Sequence, residues 1–336
     1  MTILKFAKWV GIIVLGLLLL MAFVPFLIPI TPLEDLRAPQ SVAPPESKFV
    51  TIPYAGTDGI DIHFLASKDL EDGMQEGGEP TFVLLHGSLF NAFTWNKVFD
   101  FFDERGRVLA YDQIPYGLSE KLVEGDWTGN NPYSTDAAIE HLLTLLDTFG
   151  VEKAILVGNS YGSVLALQTA LTYPERVEAL ILADSAVYIQ ESVPAWAINL
   201  PQVQRLGPLL GRMVGKSESF VHQTYLEPSA IDHERMRLTL MHTEVIQWDE
   251  AMWAYLQEWS VAPVDLTGQL SAISQQSLVI TGDSDTIVPV TDSEQLANTL
   301  PKAEYAILSA CGHVPQEECP TQFKDAVSSW LEQFNP

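Results

Sequence analysis

Solid or alternating apolar runs recur along the chain at 49–55, 59–66, 81–85, 107–111, 154–158, 178–183, 277–281 and 304–308, a pattern that predicts eight strands. From the third run onward, helical periodicity fills the intervals. Examples are 134–149, closed by Gly150, then 160–172 ahead of Pro174, and 320–334, where Pro320 suits a first helical turn. Such alternation implies an α/β fold: a mostly parallel eight-stranded sheet with helices on both faces and ligands at the carboxyl ends of the strands. Residues 187–263 interrupt the alternation after the sixth strand. This stretch is helical in pattern and aromatic, with Trp196, Trp248, Trp253, Trp259, Tyr225 and Tyr255. Inserted at the carboxyl edge of the sheet, it is expected to act as a lid and to line an acyl pocket, or else to form a small subdomain around its own aromatic core.

The N-terminal pattern is different. Residues 9–30 carry no charge and at about 1.5 Å per residue reach about 33 Å, enough for a hydrocarbon core of about 30 Å. Lys5 and Lys8 precede the run, and Glu34 and Asp35 follow it. The positive-inside rule therefore predicts a single-pass anchor with a cytoplasmic N-terminus and an extracytoplasmic remainder. A cleaved signal peptide would have a shorter apolar region and a small-x-small site beside it. Ser41-Val42-Ala43 has suitable residue sizes but lies well past the run and is followed by Pro44 and Pro45. The expected organisation is an anchor at 1–30, a proline-bearing tether at 31–47, a core at 48–186 and 264–336, and the lid at 187–263. A formal net charge of −25 excludes nucleic acid as a natural partner.

Candidate chemistry sits where the fifth strand meets the next helix. Gly158-Asn159-Ser160-Tyr161-Gly162 follows Ile155, Leu156 and Val157 and precedes helical spacing at Val164, Leu165, Leu167 and Ala170. A serine between two glycines at a strand-to-helix turn has the layout of a nucleophile elbow, with the amide of Tyr161 placed for an oxyanion. Such a serine needs a base, and the base needs an orienting acid. Asp283 and Asp285 follow the seventh strand, His313 follows the eighth, and Asp184 ends the sixth. The chain order Ser, Asp, His is that of hydrolases bearing the elbow.

Leu84-Leu85-His86-Gly87-Ser88, Tyr111-Asp112 through Gly117-Leu118-Ser119, and Gly312-His313-Val314-Pro315 through Glu318 and Pro320 complete a set of motifs over 48–336 that resembles the α/β-hydrolase fold superfamily, in its lidded esterase and lipase-like branch. The resemblance implies a Ser160, Asp285, His313 triad, with Asp285 preferred over Asp283 and Asp184, and an oxyanion hole from the amides of Ser88 and Tyr161. It also implies a structural His86, an Asp112 that fixes its own turn, and neither metal nor organic cofactor. The expected activity is cleavage of a small carboxylic ester, lipid-like given the anchor, through an acyl-enzyme. Asn159 departs from the commoner His and is similar to carbon–carbon bond hydrolases of aromatic degradation, which makes diketone cleavage the alternative. A serine at the elbow argues against dehalogenases and epoxide hydrolases. From another class comes a silent small-ligand sensor. Cys311 and Cys319 bracket His313 and are either disulfide-bonded or free thiols.

Overall fold

The computed structural model describes residues 3–71, 79–189 and 192–334. Its sheet comprises β1 (Lys48–Ile52), β2 (Ile60–Ala66), β3 (Thr81–Leu85), β4 (Arg107–Tyr111), β5 (Ala154–Asn159), β6 (Val177–Ala183), β7 (Gln276–Gly282) and β8 (Ala303–Leu308), in the order β1-β2-β4-β3-β5-β6-β7-β8. β2 pairs antiparallel with β1 and β4, and the other pairings are parallel. Around it lie α1 (Ile3–Leu27), α2 (Thr135–Thr148), α3 (Tyr161–Thr172), α4 (Pro201–Gly215), α5 (Trp248–Val261), α6 (Val290–Thr299) and α7 (Pro320–Leu331), with shorter helical turns between them.

All five residues of β3 and all six of β5 are buried, which is why these strands read as unbroken apolar runs. Alternate side chains feed opposite layers. Val83, Leu85 and Leu156 enter one core, while Phe82, Leu84, Ile155 and Val157 enter the other. α2 starts where the Ser134 hydroxyl accepts from the Ala137 amide, and its apolar stripe of Ala137, Leu142, Leu145 and Leu146 joins the first core. The predicted strands thus hold to within a few residues at their ends; the last helix stops at Leu331 instead of 334.

Register does the work of convergence. Leu85 lies opposite Gly158, Asn159 opposite Ala183, Ala183 opposite Ile280, and Gly282 opposite Leu308. Ser160, Asp184, the 283–285 turn and the 309–313 loop therefore all emerge at one sheet edge. α1 stands apart from the core; its segment Phe6–Leu27 is long and apolar enough to cross a membrane.

Candidate active site

Ser160 has φ 54° and ψ −116°, a conformation costly for a side chain with a Cβ and kept only where the surroundings impose it. Here the two glycines impose it. A Cβ on Gly162 would lie 2.1 Å from the Leu85 carbonyl oxygen, and one on Gly158 would lie 2.5 Å from the Gly162 backbone. The Ser160 amide donates to Ala183 O (2.9 Å), which locks the elbow to β6.

Asp285 and His313 meet directly, with His313 Nδ1 and Asp285 Oδ2 2.7 Å apart and both side chains buried. The other Asp285 oxygen accepts from the amides of Ile287 (2.7 Å) and Val288 (3.0 Å). Asp283, by contrast, is exposed and bonds only Ser284 and the Cys311 amide. Ser160 shares no hydrogen bond with His313 in this structure; the two are coupled through a neighbour, because Asn159 Nδ2 donates to His313 O (3.0 Å) while Gln316 donates to Asn159 Oδ1 (3.3 Å). Asn159 is thus a fastener beneath the histidine loop and does not line the cavity.

Asp184 lies at the end of β6 as the sequence indicated, but the sequence did not reveal that it faces Asp285 and His313. It is fully buried, and its Oδ1 accepts from Thr281 Oγ1 and the Gly282 amide, both at 3.0 Å. Asp184, Asp285 and His313 each place a polar atom within 4.8 Å of the others. Burial, and then the charge of Asp285, push the Asp184 carboxyl well above the usual carboxylate range. The expected structural roles hold elsewhere: His86 Nδ1 lies 2.8 Å from Gly87 O and its Nε2 accepts from the Gln113 amide (2.9 Å). Asp112 accepts from the amides of Ala92 and Leu118 and also faces His63 Nδ1 at 2.7 Å.

Ser160 opens into a cavity of about 440 Å³ bounded by Ser88 and Tyr161 on the core side and by residues of α4, α5 and their flanking loops on the other. Among the described residues, Glu258 is the sole charged side chain in its wall, and it accepts from Asn131 Nδ2 (3.0 Å). Tyr116 and Tyr255 pack edge to face at 5.3 Å beside Ser88; burial pushes the Tyr116 phenol up to about 12 and that of Tyr255 well above its ordinary value, so both remain neutral donors at neutral pH. Neither phenol carried a motif signal in the sequence.

Cys311 and Cys319 are disulfide-bonded with Cα atoms 6.0 Å apart, which resolves the question the sequence left open. Glu318, inside that loop, accepts from the amides of Gly312, Leu226 and Glu227 and ties the histidine loop to the insertion. Closing so short a loop stabilises the fold by about 2 to 3 kcal/mol in the chain-entropy account. Replacing both cysteines by Ser is expected to lower the unfolding free energy by that order in a denaturant titration, and an unchanged midpoint would count against a bracing role.

Residues 80–320 match the family model of the alpha/beta hydrolase fold. Among curated proteins, the chain is 29% identical over 297 residues to a 2-hydroxy-6-oxononadienedioate/2-hydroxy-6-oxononatrienedioate hydrolase of Paraburkholderia phymatum, covering 85% of this chain and 96% of that protein. It is 30% identical over 229 residues to a 2-hydroxymuconate semialdehyde hydrolase of Pseudomonas putida, covering 67% and 76%. A solved bacterial membrane phospholipase A shares the fold at 20% identity with a TM-score of 0.62, covering 98% of this chain and 96% of that one. By name, the sequence relatives favour the carbon–carbon alternative over the ester reading. With its sheet, its elbow and the 80–320 match in agreement, the chain belongs to the alpha/beta hydrolase fold family and is a hydrolase of that family.

Proposed function

We propose that this hydrolase uses Ser160 as nucleophile, His313 as base and then acid, and Asp285 as the group that holds the imidazole, acting on an uncharged apolar acyl compound at a membrane. His313 takes the Ser160 proton as Oγ attacks the carbonyl carbon; the Ser88 and Tyr161 amides receive the developing oxyanion; His313 then protonates the leaving group, and water repeats the sequence to free the acid. Catalytic contacts commonly tighten only in the substrate complex, which fits the open Ser160–His313 pair. Asp184, whose carboxyl is pushed by burial toward the uncharged form, positions the β7 turn through Thr281 and Gly282.

The wall of the cavity carries the choice of substrate. Among the described residues that line it, a carboxylate entering the cavity would meet no Lys or Arg and would face Glu258, at a desolvation cost of several kcal/mol. The relatives named for dienedioate substrates act on dicarboxylates, and the described wall residues offer such a substrate hydroxyl groups but no cation. A neutral ester with apolar arms suits it, and two further features fit an anchored, extracytoplasmic enzyme: the apolar Phe6–Leu27 helix and a disulfide of the kind kept in oxidising compartments. The second reading, hydrolysis of a carbon–carbon bond beside a ketone, draws on those same relatives. A parallel assay of neutral nitrophenyl esters of increasing chain length and of vinylogous diketones with and without a terminal carboxylate tests both. Ester turnover that rises with chain length is expected; turnover confined to the carboxylated diketone would overturn the ester reading.

A further inference from the structure

Outside α1, most of the large apolar side chains left in solvent lie on the insertion, Ile307 and Tyr173 being elsewhere among the described residues. Trp196 is 72% exposed, Met213 67%, Val193 42%, Trp259 41% and Leu200 40%. The Val193 amide donates to Ser260 O (2.8 Å), which seats the start of this segment against the end of α5 that carries Trp259. Met213 and Trp259 also form part of the cavity wall, so the apolar surface continues into the site. Scattered exposed apolar residues need no explanation, but a contiguous apolar face around a pocket mouth marks an interaction surface.

The seat of α1 identifies the partner. α4 runs alongside its C-terminal part in the same direction: Gln202 Nε2 donates to Ala22 O (3.3 Å), Arg205 to Ile28 O (3.1 Å) and Arg212 to Thr31 O (2.9 Å). If only the part before Ala22 were in lipid, residues 6–21 would span about 24 Å, short of a hydrocarbon core of about 30 Å. Residues 22–27 must enter as well, and they carry the start of α4 with them. Ala22 lies five residues inside the apolar end at Leu27, about 7.5 Å at helical rise, within the 5 to 10 Å to which interfacial helices sink. Leu200 and Trp196 lie at that end of α4. A net charge of −25 rules out adsorption by general electrostatics, leaving apolar insertion as the attraction.

We propose that the face formed by Val193, Trp196, Leu200 and Trp259 dips just below the head groups of the bilayer that holds α1, so that the cavity opens toward lipid and takes its substrate from the membrane. This rests on the reading of the chain as an anchored hydrolase of apolar substrates. Because the native cysteines are paired, a thiol introduced by Trp196→Cys in the full chain accepts a single nitroxide. In phosphatidylcholine vesicles, power saturation by oxygen against a water-soluble nickel complex is expected to place that label about 5 to 10 Å below the head groups. A Lys153→Cys label, at the opposite end of β5, should remain in water. Trp196→Asp combined with Leu200→Asp should cut turnover of a long-chain ester dissolved in the vesicles by about tenfold or more while sparing a short water-soluble ester. A water-exposed label at 196 alongside a lipid-buried Leu18→Cys label would overturn the docking, as would unchanged turnover of the vesicle-bound ester. Depth is read without catalysis, so a buried label in a protein inert toward soluble esters would sink the ester reading and leave the docking supported.

Discussion

Ser160→Ala is expected to lower turnover by about 10⁶, because nucleophile, base and acid act as a unit and the loss of one abolishes the covalent route. Geometry makes this substitution informative. The positive φ at 160 is imposed by Gly158, Gly162 and the bond to Ala183 O, and alanine carries the same Cβ as serine, so the elbow and the cavity should survive. The variant should melt at the parent temperature and stay unlabelled by a fluorophosphonate. Whatever rate remains would come from the oxyanion amides and from substrate binding, about 10³ to 10⁴ above water. A folded Ser160→Ala protein that turned substrate over within tenfold of the parent would remove Ser160 from the mechanism, and a parent serine that failed to react with the probe would favour a silent sensor.

The elbow was legible because its requirements are local: an apolar strand, two glycines where a Cβ would strike Leu85 O or the neighbouring backbone, and an apolar helix, all within about fifteen residues. The strands were legible for a related reason, since β3 and β5 are buried on both faces and leave no polar alternation to misread. What escaped depends on contacts across long sequence separations. Asp184 and Asp285 are 101 positions apart and face each other only because Ala183 pairs with Ile280 and β7 turns back at Gly282. Tyr116 and Tyr255 meet beside Ser88 because the turn after β4 reaches the inserted helix α5, and no periodicity announces such a meeting. Asn159 was legible as an oddity but read toward substrate choice; its amide is used up on His313 O, Ala183 O and Gln316, beneath the loop and away from the cavity.

Asp285→Asn is expected to cost about 10⁴ in turnover, since an amide offered to His313 Nδ1 favours the tautomer that cannot accept the Ser160 proton. Two carboxyls compete for this role, and their surroundings separate them. Asp285 points Oδ2 at the imidazole and receives two amides on Oδ1, whereas both bonds to Asp184 go to its Oδ1 from the β7 turn. Because burial and the charge of Asp285 push Asp184 toward its uncharged form, Asp184→Asn is a same-shape substitution that keeps the Oδ1 acceptor for Thr281 and Gly282. Its turnover should stay within about tenfold of the parent, and its pH–rate profile should keep the parent's shape. Asp184→Ala should behave worse than Asn, because it leaves the buried Thr281 hydroxyl and Gly282 amide without an acceptor, at about 1 to 3 kcal/mol of stability each. The decisive comparison is therefore between the two asparagine variants. Were Asp184→Asn to fall by about 10⁴ while Asp285→Asn stayed active, the orienting acid would sit at the end of β6 and the assignment of Asp285 would have to be abandoned.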